Sequence, residues 1–261
     1  MANNSAIEWT EATWNPVAGC TIVSPGCTNC YAMRLAKRLE AMGQSKYAST
    51  TRVTGGRAKW NGRIVLDHTA LNLPKKWKVG KTIFVNSMSD LFHEGVPLDF
   101  VKEVFATMVA TPLHTYQILT KRAERIEDIS AELPWPNNVW LGVSVENADY
   151  KWRIEHLRRT KAAVKFLSLE PLLGPLENLN LEGIDWAIAG GESGPNARPM
   201  RIEWVRSIRD QCKAAAVAFH FKQWGGVNKK RTGRVLDGRT WDEFPSLPAV
   251  FLPAVSRSRS R

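Results

Sequence analysis

Short apolar runs alternate along this chain with longer stretches whose apolar residues recur every three or four positions. The runs at 81–86, 115–120, 138–145, 164–169, 184–189 and 217–221 are rich in β-branched and aromatic residues, and each is followed by polar or glycine-containing sequence. That pattern predicts six strands. Between them lie helical patterns. Residues 97–111 carry Phe100, Val101, Val104, Phe105 and Met108 on one face, with Pro97 near the start. Further helices are expected after Arg122 to about Leu133, over 149–160 and over 202–216, and an amphipathic one from about Ala32 to Leu39. A strand before Cys20 brings the count to about seven. Strands that alternate with helices make a parallel sheet, and hence an α/β fold.

The strand ends repeat a second pattern. Asn86, Ser87, Ser89 and Asp90 follow the first of the six runs; Lys121, then Ser144 and Glu146, then Glu170, Glu192 and Lys222 follow later ones. In a β/α barrel the C-terminal ends of all strands converge on one mouth, where the chemistry sits. A doubly wound open sheet is the alternative, but its usual glycine-rich phosphate loop after the first strand is missing.

The body spans 1–226. Residues 44–80 interrupt it as an irregular, basic insertion, and 227–261 read as a basic, loosely ordered tail broken by Pro245, Pro248 and Pro253. The net charge of +11 is unevenly placed: residues 31–80 hold 11 Lys/Arg against two acids, and 226–261 hold eight against three. Two basic patches on a balanced body are what a polyanion binder shows. Within the insertion, Arg52, Arg57, Lys59, Trp60 and Arg63 interleave cations with an aromatic ring, a pattern suited to phosphate contact and base stacking. The bland alternative is a solvated insertion with Trp60 packed on the body.

Three of the four cysteines fall within eleven residues, as Cys20, Cys27 and Cys30 in a C-x6-C-x2-C spacing. Gly19, Pro25 and Gly26 mark the segment as a loop. The helix that follows places Cys30 near a helix N-terminus, where the dipole favours thiolate. A cubane 4Fe-4S cluster on three cysteines, with one iron left open, suits this set. Zinc would need a fourth ligand, from Cys212 or a histidine. The third possibility is that the cysteines are incidental. No basic leader precedes an apolar run, and no apolar stretch approaches the ~20 residues of a membrane span. The expectation is a cytoplasmic protein without membrane association.

The segment Trp14-Asn15-Pro16 through Gly19-Cys20, with Gly26-Cys27-Thr28-Asn29-Cys30-Tyr31-Ala32, resembles the phage and bacterial three-Cys-motif protein family. So do 168–172 (SLEPL), 190–194 (GGESG) and 221–225 (FKQWG). That architecture is similar to radical S-adenosylmethionine (radical SAM) enzymes, which carry a 4Fe-4S cluster on three cysteines after the first strand of a partial β/α barrel. The resemblance implies a partial barrel of six to seven strands and a need for an electron donor. It also implies that S-adenosylmethionine chelates the open iron, is cleaved reductively and yields a 5′-deoxyadenosyl radical that takes hydrogen from a substrate. The spacing departs from the usual C-x3-C-x2-C, and Asn29 stands where an aromatic residue usually precedes the last cysteine. The Gly-Gly-Glu of 190–192 follows a late strand rather than the second, so the amino-group role is not carried to Glu192. By position, Asn86, Ser87, Ser89 and Asp90 take that place. Lys121 would then face the cofactor carboxylate, and Ser144 and Glu146 its ribose. A nucleic acid or nucleotide is the expected substrate class. The rival functions are a zinc-stabilised nucleic-acid-binding protein and a cluster-bearing partner or sensor without catalysis.

Overall fold

The computed structural model describes residue 5 and residues 7–245. In chain order its elements are β1 (Ala12–Trp14), β2 (Val17–Ala18), α1 (Tyr31–Ala41), β3 (Thr51–Thr54), β4 (Arg57–Trp60), β5 (Val65–Leu66) and β6 (Thr82–Val85). They continue as α2 (Leu98–Val109), β7 (Thr115–Thr120), α3 (Ala123–Ile129), β8 (Val139–Ser144), α4 (Trp152–Arg158) and β9 (Val164–Leu169). The last are β10 (Trp186–Gly190), α5 (Ile202–Ala214), β11 (Ala218–Gln223) and α6 (Lys229–Thr232).

Seven strands pair in parallel in the order β1-β6-β7-β8-β9-β10-β11, with β1 and β11 at the edges. The sheet is strongly curled. Trp9 touches Phe84 of β6 at a ring distance of 4.8 Å and Trp186 of β10 at 6.2 Å. In a flat sheet those strands would stand about 19 Å apart, four spacings of ~4.8 Å. One indole bridges them only because the sheet closes half-way round it. The fold is a partial β/α barrel, as expected.

Alternation along each strand separates two cores. Outward residues such as Ile83, Val85, Ile118, Leu141, Val143, Leu167, Ala187 and Phe219 meet the helices, through Val101, Val104, Phe105 and Met108 of α2, Ile154 and Leu157 of α4, and Val205, Ile208 and Cys212 of α5. Each such side chain contributes roughly 1.5–3 kcal/mol by burial. Inward residues form an aromatic floor of Trp9, Phe84, Trp140, Phe166 and Trp186. The register Phe84↔Gln117↔Trp140 and Phe166↔Trp186 keeps these side chains on one face. The connection from β9 to β10 contains no helix; Leu172, Leu176 and Leu181 cover the outer core there instead.

The 44–80 segment is more regular than its sequence suggests. β3 and β4 form an antiparallel hairpin closed by Gly55 and Gly56, both at positive φ (57° and 71°), as a two-residue hairpin loop requires. β5 pairs with β2. The tail also differs from expectation over its first part. Residues 227–245 lie against the body, with Leu236 and Trp241 buried in the outer core and Trp241 covered by the Arg239 guanidinium at 3.6 Å. The rest of the segment read as a loose tail, 246–261, lies outside the described residues. Among the described residues no helix is long and apolar enough to cross a membrane.

Candidate functional site

A cavity of about 500 Å³ opens at the C-terminal ends of the parallel strands. The inward face of each strand supplies it in layers. The aromatic floor gives way upward to Leu119, Ser144, Ser168 and Lys222, and then to the loops after each strand. Cys20, Cys27 and Cys30 line it together, all carried on the loop that follows β2.

Backbone geometry explains how that loop lies so close to the strand ends. Gly19 has φ +88°, and a Cβ there would fall 2.0 Å from the Arg63 carbonyl. A Cβ on Gly26 would fall 2.4 Å from Glu146 Oε1. Ser24 Oγ donates to the same carboxylate oxygen. Lys121 Nζ and Arg153 Nη1 complete its coordination at 2.9 Å each. Glu146 is fully buried and does not line the cavity. Burial alone raises its carboxyl pKa, but Lys121, Ser24 and Arg153 outweigh that and hold it below the usual carboxylate range. Its place is therefore behind the wall, as the anchor of the cysteine loop; a ribose contact would need one of these partners displaced. Lys121 lines the cavity with its charge already paired.

A second clasp comes from the late strands. Glu192 accepts from Asn29 Nδ2 at 3.0 Å and from the Arg198 backbone at 2.9 Å, and pairs with the Arg198 guanidinium. Arg198 Nη2 also donates to Pro25 O at 2.9 Å. Burial raises the Glu192 carboxyl, but Arg198 and Asn29 more than compensate and lower it. Close approach at Gly191, where a Cβ would fall 2.0 Å from the Trp224 carbonyl, sets the position of this loop.

On the opposite side Asp90 is saturated. Thr120 Oγ1 donates to both its oxygens, Lys121 N and Arg122 Nη1 to Oδ2, and Phe92 N to Oδ1. Arg122 is buried, grips Glu94 through Nε and reaches Thr21 Oγ1 at 2.6 Å and Cys20 Sγ at 3.9 Å. Ser87 Oγ donates to Asn15 Oδ1, and Ser89 Oγ to Val17 O. Asn86 sits at φ 59° and accepts from Val17 N, while its Nδ2 has no partner among the described residues. Trp9 Nε1 and Gln223 Oε1 are likewise buried and unpartnered, and both residues line the cavity. Unpaired buried polar atoms are rare in native proteins, because each forfeits its solvation. Three such atoms lie beneath the lining of one cavity, where a side chain would have to turn before a ligand could meet them.

Cys20 and Cys30 are half-buried, but they face the cavity rather than open solvent. Burial pushes the Cys20 thiol up to about 12; Asp90 adds to the rise and Arg122 opposes it. Cys30 caps α1. Burial raises its thiol even though the Ala32 and Met33 amides pull it down. The helix start thus does not by itself yield a thiolate here, and a metal would have to displace the protons. Among the described residues no group of three or more His, Cys, Asp or Glu side chains is arranged to hold a metal ion. Cys212, the proposed fourth zinc ligand, is fully buried in the outer core and does not line the cavity.

The candidate nucleic-acid residues divide. The hairpin register Arg52↔Lys59 and Thr54↔Arg57 puts Arg52, Arg57 and Lys59 on one face. Trp60 is on the other face, buried with Met33 and Ala36, where it also edges the cavity. Arg63 is exposed, and only its carbonyl meets the cysteine loop, at Gly19. Ser24, Arg153 and Arg198 are supports that sequence reasoning did not find. Their only signal is a cation or hydroxyl beside the strand ends and the cysteine loop.

These features define a partial β/α barrel with a mouth lined by three thiols. The chain belongs to the family described as "Protein of unknown function (DUF5131)", which matches residues 4–245. No curated protein and no solved structure matches the chain significantly.

Proposed function

We propose that the protein is a radical SAM-like iron–sulfur enzyme whose reaction takes place in the mouth of the half-barrel. The observation that carries this reading is the convergence of Cys20, Cys27 and Cys30 with the strand-end polar residues on one cavity at the C-terminal end of a parallel sheet. The chemistry of the donor set suits the group, with three soft thiols on one loop lining one cavity, although the three side chains would have to turn toward one another to hold it. A bound 4Fe-4S cluster with S-adenosylmethionine would supply one-electron chemistry able to take hydrogen from an unreactive carbon.

The chain's own residues hold, orient and exclude. Cys20, Cys27 and Cys30 would hold the cluster. Asn86 would have to turn its Nδ2 toward the cavity to donate to a carboxylate, and Ser144 and Ser168 line the wall for a sugar or an amine. Trp9 and Phe84 close the base of the cavity against water. The Glu146 and Glu192 clasps keep the cysteine loop fixed, so little reorganisation accompanies binding.

The test is reductive cleavage of S-adenosylmethionine by anaerobically reconstituted protein, followed by chromatography for 5′-deoxyadenosine. Formation by wild type and loss in Cys30→Ala is the expected result. A fully loaded cluster with no cleavage under strong reductant would leave a cluster-bearing partner or sensor in its place.

A further inference from the structure

A second cavity, about 240 Å³, opens beside the mouth. Its walls are the start of α1, the β3–β4 hairpin and the Pro195–Asn196 turn. Arg34, Arg57 and Lys59 line it, and no acidic residue does. Asn29 and Cys30 line both cavities, so the groove and the mouth adjoin at the cysteine loop.

The charge here differs from that around the mouth. Arg122, Arg153 and Arg198, around the mouth, each have a carboxylate partner. Arg34 and Arg57 are exposed and have none among the described residues. Arg34 is also held in place: a Cβ on Gly194 would fall 2.4 Å from its Nη2, so the guanidinium lies against bare backbone. Lys59 Nζ donates to Thr28 O at 2.7 Å, which fixes the hairpin beside the loop. Arg52 shares the Arg57 and Lys59 face of the hairpin. Cations gathered without counter-charge repel one another, and a bound anion relieves that cost. Arginine forks match phosphate oxygens in particular. The groove adjoins a mouth whose lining includes the Trp9, Phe84 and Trp60 rings, aromatic surface of the kind on which a base stacks.

We propose that the groove holds the phosphodiester backbone of a single-stranded nucleic acid and delivers one of its nucleotides into the mouth. This rests on the mouth being the reaction site and names its substrate class. A duplex would first have to extrude the target base, at a cost of a few kcal/mol.

The experiment is fluorescence anisotropy with short labelled single-stranded DNA and RNA, on cluster-loaded and metal-free protein, between about 50 and 200 mM salt. Three phosphate contacts predict that log affinity falls with log salt at a slope of about −2. R34A/R57A should weaken binding at least tenfold at low salt, and R57E alone should also weaken it; circular dichroism checks that each variant folds. K75A/K76A/K78A, which removes three charges from the segment before β6, at the N-terminal end of the sheet, should bind as wild type does. The proposal is overturned if wild type binds no oligonucleotide, if the control variant loses as much affinity, or if polyglutamate competes as well as the oligonucleotide. The last outcome would make the groove an acidic-peptide site. Cofactor cleavage without oligonucleotide binding would remove this inference and leave the reaction reading standing. Binding by a protein that takes up no cluster would do the reverse.

Discussion

Arg122 Nη1 lies 3.0 Å from Asp90 Oδ2 and 3.9 Å from the Cys20 sulfur, so one buried guanidinium joins a strand-end carboxylate to the first of the clustered thiols. Both charged partners are nearly inaccessible. Removing one strands the other in a poorly solvated site, at about 3–5 kcal/mol. Arg122→Ala should therefore lower the urea midpoint strongly and reduce iron uptake on reconstitution. Arg122→Lys keeps the charge but loses the fork that reaches Asp90, Glu94 and Thr21 together, and should fall between the two. Wild-type stability in Arg122→Ala would show that the network is idle.

Gly26 packs where a side chain would overlap Glu146. Gly26→Ala should cost about 1–3 kcal/mol by overpacking. It should also displace the cysteine loop, seen as lower iron content at equal protein concentration. Glu146→Gln keeps the shape but removes the charge that Lys121 and Arg153 share. It should destabilise the fold more than Gly26→Ala does, because Arg153 is buried with no other carboxylate partner among the described residues. Equal iron loading in both variants and wild type would contradict the anchoring role.

His220 gives the pH dependence. It is buried on the inner side of β11, and neither ring nitrogen has a hydrogen-bond partner among the described residues. Burial depresses its pKa from 6.5 to about 3, helped by the Arg234 and Lys222 charges. Between those values the unfolded chain binds a proton that the folded chain refuses. Stability from this group is thus intact above about 6.5 and is lost as pH falls toward about 3. His220→Phe should flatten the acid limb by up to about 1.4 kcal/mol per pH unit, measured by urea unfolding at several pH values. An unchanged slope would mean that the imidazole is protonated in the native state.

Cys212 tests the zinc alternative. Its thiol is raised to about 12 by burial, with Glu243 adding to the rise. Cys212→Ala should cost about 1–2 kcal/mol of packing and leave metal content unchanged. Loss of one bound zinc in that variant would reinstate Cys212 as a ligand.

Much of the barrel was legible because hydrophobic periodicity reports burial directly. The six apolar runs became β6 to β11 with ends shifted by at most a few residues, and α2 buries the face formed by Phe100, Val101, Val104, Phe105 and Met108. The cysteine loop was legible because no other segment concentrates thiols. The β3–β4 hairpin was not, since its polar–apolar alternation runs for only four residues on each side of Gly55 and Gly56. Nor was the work of Glu146. A carboxylate at a strand end reads as a ligand contact, and only the fold brings Ser24, Lys121 and Arg153 around it. Leu236 and Trp241 were hidden among basic residues and prolines, though two large apolar residues in such a stretch are a signal of docking.

The most direct measurement is iron, sulfide and zinc content with a visible spectrum, on wild type and Cys27→Ala purified without oxygen. About four irons and four sulfides per chain, bleached by reduction and lost in the variant, is the predicted result. One zinc with no sulfide in a colourless protein would contradict it and make the cysteine loop a structural clasp.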